Sequence, residues 1–146
     1  MDRRRAAGIG AVWPWFLALL ADALGALGQF EDGFRALDEA LQWVRQNDER
    51  LYAAEVHRIK GELLLRQATP DPAEAERCFE QALTIARREQ AKSWELRAAM
   101  SMGRMWLQDG RFDDARALLT PIYDWFTEGF DTADLQDTKA LLEQLS

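Results

Sequence analysis

The 146-residue sequence contains a single cysteine, a single histidine and only four prolines. One cysteine excludes an internal disulfide framework and is typical of a reducing compartment. One histidine, His57, excludes a metal site built from several histidines. The scarcity of proline, together with the lack of alternating β-branched runs, favours an all-helical fold.

Positive charge is also in short supply. Lysine and arginine number 18 against 25 aspartates and glutamates, which gives a net charge of −7. Sequence-independent nucleic-acid binding depends on a basic surface that neutralises phosphates, so we expect no nucleic-acid partner. The composition, 48% hydrophobic and 29% charged, is typical of a soluble globular protein.

No segment has the length of apolar sequence that a membrane span requires, about 18 residues. The N-terminus imitates a signal peptide, because three arginines (3–5) precede an apolar run. Pro14 and its two neighbouring tryptophans interrupt that run. We therefore expect a cytoplasmic protein without membrane contact, in which residues 1–12 are disordered or originate from cloning.

Motifs for catalysis are missing as well. The sequence has no G-x-x-x-x-G-K-[ST], no H-E-x-x-H and no paired cysteines. Cys78 lies on an apolar stripe and His57 aligns with interior positions, so both are expected to be packed side chains. Asp113-Asp114 and Asp131/Asp134 fall in first helical turns, where acidic residues suit the helix dipole. We expect no enzymatic activity, no cofactor and no metal site.

The sequence contains the same two-segment unit three times. The stretch 91–130 forms two amphipathic segments joined by Asp109-Gly110, a helix stop signal. Large apolar residues recur in the second segments at Leu37, Phe79 and Leu119, with spacings of 42 and 40. Small residues recur in the first segments at Ala21, Gly61 and Gly103, with spacings of 40 and 42. The spacings swap because the middle turn, 68–75, is two residues longer than the others.

Helices are accordingly predicted at 13–27, 30–46, 50–67, 72–89, 92–108, 112–127 and 132–145. The small residue, the Gly-aromatic turns (Gly28-Gln29-Phe30 and Gly110-Arg111-Phe112) and the apolar stripe resemble the tetratricopeptide pattern. That pattern has a period of about 34 residues, so each helix here would be longer than usual. A HEAT-type repeat has a suitable period of about 40–47 residues but does not account for the Gly-aromatic turn.

The predicted fold is therefore an all-α, right-handed superhelix of three long tetratricopeptide-like (TPR-like) helix pairs plus a C-terminal capping helix. One domain, 13–146, would hold the repeats 13–46, 50–89 and 92–127, with the cap at 132–145. The first helix lacks a comparable cap, and we expect earlier repeats to precede it in a longer protein.

Three stretches carry a resemblance to a known family: EVHRIKGELLLRQ (55–67), DPAEAERCFEQALTIARREQAKSWELRAAMSMGRMW (71–106) and WFTEGFDTADLQDTKALLEQL (125–145). They resemble the C-terminal tetratricopeptide-like regions of large bacterial ATPase-type signalling proteins. Many members carry a nucleoside-triphosphatase domain upstream, often with a class III adenylate/guanylate cyclase domain. The resemblance implies a regulatory or scaffolding segment without catalysis of its own.

In stacked helix pairs the first helices line a concave face. Their polar positions would form a groove with several arginines, a chemistry that recognises acidic peptides or carboxylates. The alternative is a solvated face with Glu–Arg pairs at helical spacing. The candidate groove residues are Asp22, Glu55, Arg58, Glu62, Arg66, Trp94, Arg97 and Arg104.

Two hypotheses of function remain open. The first is a non-enzymatic module that binds a protein or peptide partner for a signalling ATPase or cyclase. The second is an effector-sensing domain that binds an acidic peptide or small anion in the groove. The uncovered first helix also predicts a homodimer through residues 13–27, with Trp13, Trp15, Phe16 and Leu20 in the contact.

Overall fold

The computed structural model describes residues 13–48, 50–129 and 132–145, and this part of the chain is all-helical, without a strand. Helices hold 83% of it. The helices are α1 (Trp13–Ala26), α2 (Phe30–Asn47), α3 (Leu51–Arg66), α4 (Pro72–Arg88), α5 (Lys92–Gln108), α6 (Phe112–Trp125) and α7 (Ala133–Gln144). The predicted all-α class is thus confirmed for these residues, and the segment 1–12 lies outside them.

The helices begin and end within one or two residues of the boundaries predicted from sequence. The largest difference is at the end of α6, which stops at Trp125 because Phe126 is extended, with a ψ of 134°. Gly28 and Gly110 separate α1 from α2 and α5 from α6 with φ values of 78° and 77°. Only glycine adopts this backbone without a steric cost, so these two residues set the turns.

The start of α4 combines two helix-start signals. Pro72 occupies the first turn, and the Asp71 carboxylate accepts a hydrogen bond from the Glu74 N–H at 3.2 Å. Glu74 does not complete a capping box, because its carboxylate pairs with Arg77 and the Asp71 N–H donates to the Leu64 carbonyl. Asp131, which the sequence also places at the start of α7, lies outside the described residues.

Each helix packs against the next one along the chain. In addition, α1 packs against α3, α3 against α5, and α5 against α7. The odd-numbered helices therefore form one continuous layer, and each even-numbered helix lies against the two odd-numbered helices that flank it in sequence.

Three large apolar side chains of the even-numbered helices lie in the core. Leu37, Phe79 and Leu119 are completely buried. A methyl group on Gly61 would overlap the Phe79 ring, and a Cβ on Gly103 would lie 2.9 Å from Leu119 Cδ1. Each glycine is thus the notch that lets a large side chain of the following helix approach the backbone.

The spacing of Trp43, Trp106 and Trp125 places them on apolar stripes and predicts that all three are core residues, but the last of them is on the surface. Trp125 is 57% exposed, and the Lys92 ammonium lies 5.5 Å from its ring centroid. The prediction is wrong because α6 ends at this residue, and the extended backbone turns Phe126 toward the core instead. Trp43 and Trp106 are partly buried.

Candidate functional site

The odd-numbered helices place polar and aromatic side chains on one side of their layer, which we call the odd-helix face. Along α3 the spacing is three or four residues, which keeps side chains on one side of a helix. Side-chain contacts between neighbouring helices show that the members on α1, α5 and α7 lie on the same face. Its members are Trp15 and Asp22 on α1; Tyr52, Glu55, Arg58, Glu62 and Arg66 on α3; Trp94, Arg97, Ser101 and Arg104 on α5; and Asp134 and Asp137 on α7.

Glu55 is the centre of this face. The residue is only 2% exposed. Its Oε1 accepts a hydrogen bond from Arg58 Nη2 at 2.7 Å and forms an ion pair with Arg97 Nη1 at 2.9 Å. Its Oε2 accepts from Arg58 Nε at 2.9 Å. A buried carboxylate is tolerable only when its charge and lone pairs are satisfied in this way. Glu55 therefore ties α3 to α5.

Arg58 is the main partner of that carboxylate. Burial opposes the charge of its guanidinium, but the hydrogen bond to Glu55 and the Glu55 charge outweigh burial and raise the pKa of Arg58 above its ordinary value. The group is therefore a permanent cation. Its Nη1 also reaches Ser101 Oγ at 3.4 Å, a second link to α5.

The pairs farther from Glu55 are looser. Arg97 Nε lies 3.8 Å from Asp134, and Arg104 Nη2 lies 4.0 Å from Asp137. Both sit beside a cavity of about 180 Å³ whose wall also includes Arg58 and Met100. At such distances in partly exposed sites an ion pair adds little stability, so a ligand could exchange with it at low cost.

An aromatic cluster forms one end of the face. Trp94 of α5 lies 5.9 Å from Trp15 of α1 and 5.7 Å from Tyr52 of α3, measured between ring centroids. All three rings are partly exposed. Because α1 and α5 both pack against α3, the contact between their tryptophans spans α3. The aromatic cluster therefore joins three helices at this end of the odd-helix face.

The eight predicted groove residues all lie on this face, but in a different electrostatic state from the one expected. The sequence suggested an excess of arginine, whereas the four arginines of the face meet five carboxylates. Sequence reasoning missed Asp134, which it assigned to the first turn of α7, and Asp137, to which it gave no role. It also missed Tyr52, although this residue is one turn before Glu55 and could have been found by spacing.

The predicted self-association residues are divided between two sides of α1. Trp13, Phe16 and Leu20 are exposed. Trp15 is partly buried and packs on Trp94, so it does not belong with them. The difference arises because Trp15 is one residue away from Phe16, which turns its side chain by about 100° around the helix.

His57 lies on α3 beside a second cavity, of about 500 Å³, which is otherwise lined by side chains of α4. Its Nδ1 is buried without a hydrogen-bond partner. Burial lowers the pKa of His57 to about 4, and the charges of Lys60 and Arg45 add to the effect. The imidazole is therefore neutral at pH 7. Cys78 on α4 is buried as predicted, and burial raises the pKa of its thiol.

Two features that would indicate another kind of site are missing from the described residues. No cluster of three or more histidine, cysteine, aspartate or glutamate residues there has the arrangement of a metal site. No helix in the same part of the chain has the length and apolar character that crossing a membrane requires. Comparisons of the chain with protein-family models, with curated proteins and with solved structures find no match.

Proposed function

We propose that this chain is a non-enzymatic protein-interaction module that binds a peptide segment of its partner along the odd-helix face. The observation that carries the proposal is the contact between Trp15 and Trp94 across α3. The contact makes a partly exposed aromatic surface that spans three helices and continues into loosely held ion pairs, and we infer that this surface is concave. Concave faces built from successive helices are the usual binding surfaces of helical repeat proteins.

We further propose that the helices are three TPR-like pairs in a right-handed superhelix, closed by α7. The contacts of Gly61 with Phe79 and of Gly103 with Leu119 support this, because the same notch recurs in consecutive pairs. The packing of each odd-numbered helix against the next odd-numbered helix also supports this arrangement.

Recognition on this surface would use two kinds of contact. The aromatic cluster offers flat, partly exposed rings to an apolar or aromatic side chain of the peptide. Arg97 and Arg104, with Asp134 and Asp137 opposite them, would fix the register by exchanging their long ion pairs for charges of the peptide. Glu55 remains buried throughout and serves as the anchor of the surface.

The proposed biological setting rests on the sequence resemblance described above. It supports a regulatory or scaffolding role in the C-terminal part of a larger cytoplasmic bacterial signalling protein with ATPase or cyclase domains. In that setting the partner would be another protein of the same signalling system.

Selection of binders from a random peptide library, followed by calorimetry, tests the proposal. Trp94→Ala should weaken the selected peptides at least about tenfold, because aromatic residues dominate such interfaces. Trp125→Ala is the matched control, since Trp125 is an exposed tryptophan on α6. The Trp125→Ala variant should bind the selected peptides with unchanged affinity. Equal effects of the two substitutions, or peptides that bind only the even-numbered helices, would contradict the proposal.

A second candidate is favoured by the 180 Å³ cavity, which three arginines and two aspartates line. A small anion held there would make the chain an effector sensor. Inorganic phosphate and short dicarboxylates should then raise the melting temperature by mass action. Arg104→Gln should abolish the shift. Absence of any shift in the wild type would leave peptide binding as the function of the face.

A further inference from the structure

The outer side of α1 carries the largest continuous set of exposed apolar side chains in the described part of the chain. Trp13, Phe16, Leu19, Leu20 and Leu27 are 38%, 54%, 49%, 41% and 72% exposed. Trp13, Phe16 and Leu20 are spaced three and four residues apart, which keeps them in one stripe along α1 with Leu19 at its edge. Leu27 lies seven residues after Leu20, in the turn that directly follows the helix. Trp13 and Phe16 stack on each other at 5.6 Å between ring centroids.

The opposite side of α1 is buried, with Leu17, Ala18 and Ala21 in the core. The helix is therefore apolar on both sides, which is typical of a helix covered on both sides. Asp22 is the only charged residue of α1, and its carboxylate pairs with Arg66 on the odd-helix face at 3.0 Å. No charge on α1 itself opposes burial of the stripe.

Other described surfaces of the chain do not complement the stripe. The outward side of α7 shows Gln136, Lys139 and Glu143, which are polar and exposed. Phe112 and Trp125 are exposed on α6, but they begin and end that helix, roughly 20 Å apart at 1.5 Å per residue. A head-to-tail contact would therefore place apolar side chains against polar ones.

The stripe does complement itself. Trp13 and Leu27 lie seven residues on either side of Leu20, and Phe16 and Ala23 lie four and three residues from it. In an antiparallel pair of α1 helices, Trp13 meets Leu27 of the other copy and the large Phe16 meets the small Ala23. Such reciprocal contacts are what an isologous two-fold interface requires.

We propose that two copies of this chain form an antiparallel dimer through α1, with the two-fold axis at Leu20. The interface area fits a weak dimer. A fully exposed aromatic side chain offers about 150–250 Å², and scaling by the exposed fractions of the two aromatics and three leucines gives roughly 400–500 Å² per copy. The pair therefore buries roughly 800–1,000 Å², at or just below the lower limit for a specific interface, so we expect a weak dimer with a micromolar dissociation constant.

Sedimentation velocity from about 1 to 500 µM, a range that brackets micromolar dissociation constants, tests the dimer. The wild type should shift from monomer to dimer, and Phe16→Glu should stay monomeric while circular dichroism shows its helices intact. Phe112→Glu is the matched control, because Phe112 is exposed to a similar extent on α6. It should dimerise as the wild type does. The proposal would be overturned if the wild type remained monomeric at the highest concentration, or if it formed oligomers larger than a dimer whose size kept increasing with concentration.

Disulfide trapping tests the geometry without disturbing the stripe by a charge. Cysteines on a two-fold axis approach within the about 4.4–6.8 Å between Cα atoms that a disulfide needs. Leu20→Cys should therefore cross-link to itself on oxidation, and the buried Cys78 should not compete. Trp13→Cys should cross-link only when mixed with Leu27→Cys. Self-cross-linking of Trp13→Cys would indicate a parallel pair and would exclude the proposed axis.

Discussion

At the scale of single residues, Glu55 is the side chain on which the odd-helix face depends most. Glu55→Gln removes the charge that two guanidinium groups share, one of them only 15% exposed. Removing one partner of a buried ion pair costs about 3–5 kcal/mol, because the other charge stays buried and unpaired. Urea unfolding should show a loss of that size.

Glu31→Gln is the matched control for this prediction. Glu31 pairs with Arg35 at 3.9 Å, but its side chain is 94% exposed. Water already solvates both groups, so the change should cost less than about 0.5 kcal/mol. Similar losses for the two substitutions would mean that Glu55 is not held as the geometry indicates.

His57 gives the chain a predictable response to acid. Its folded-state pKa of about 4 is below the ordinary value of 6.5, so the unfolded chain binds the proton more tightly. The contribution of His57 to the free energy of unfolding is fully present above pH 6.5 and is lost as the pH falls toward 4. Up to about 3 kcal/mol of unfolding free energy should be lost across that window, since each unit of pKa difference corresponds to about 1.4 kcal/mol.

Comparison with His57→Gln isolates this contribution, because the carboxylates titrate equally in both proteins. The difference in unfolding free energy between the wild type and the variant should change steadily from pH 6.5 to 4 and be constant above pH 7. A constant difference over the whole range would show that the imidazole is solvated like that of an unfolded chain.

At the scale of helices, the two glycine notches should differ in their tolerance of a methyl group. At Gly61 the methyl meets the rigid ring of Phe79, whereas at Gly103 it meets the mobile end of Leu119. Overpacking costs about 1–3 kcal/mol, and replacing a helical glycine by alanine returns about 1 kcal/mol. Gly61→Ala should therefore destabilise the chain, and Gly103→Ala should be nearly neutral.

The double variant Gly61→Ala, Phe79→Leu tests the cause, because it recreates the pairing found at Gly103. In thermal unfolding it should be more stable than the sum of the two single changes predicts, which is the sign of direct contact. Additive effects would place the strain of Gly61→Ala elsewhere in α3.

The helices themselves could be predicted from the sequence to within a residue or two, because their signals are local. Gly110 marks a turn by its backbone preference, and Asp71-Pro72 marks a helix start by its cap. Trp125 shows where local signals fail. Its position fits the apolar stripe of α6, but the helix ends there, and the direction of the chain beyond that point depends on packing rather than on periodicity.

At the scale of the whole molecule, the candidate site could be predicted only in part. Spacing along α3 and α5 placed Glu55 and Arg97 on the same face, as observed. The spacing of residues within a helix does not determine how neighbouring helices are aligned with each other. It therefore could not show that Glu55 bridges two arginines. Nor could it show that Asp134 of α7 reaches Arg97, because these residues are far apart in sequence and meet only through the stacking of helices.

The same stacking predicts how stability is distributed. Each helix contacts only its near neighbours in the stack, and buried side chains form one cluster in α1–α3 and another in α4–α7. Opening of such an array should begin at its ends, since a terminal helix loses contacts on one side only. Hydrogen exchange should be slowest in α3, α4 and α5 and fastest in α7, which is terminal and, with 12 residues, shorter than the other helices.

The Phe16→Glu chain is the right protein for this measurement, because self-association would otherwise protect α1. Phe79→Ala in that background should release the two clusters from each other, since Phe79 fills the notch at Gly61 that joins α3 to α4. Exchange in α1 and α2 should then quicken more than exchange in α6 and α7, which keep Leu119 and its neighbours buried. A uniform rise in exchange over all helices would mean that the molecule opens as one cooperative unit rather than from its ends.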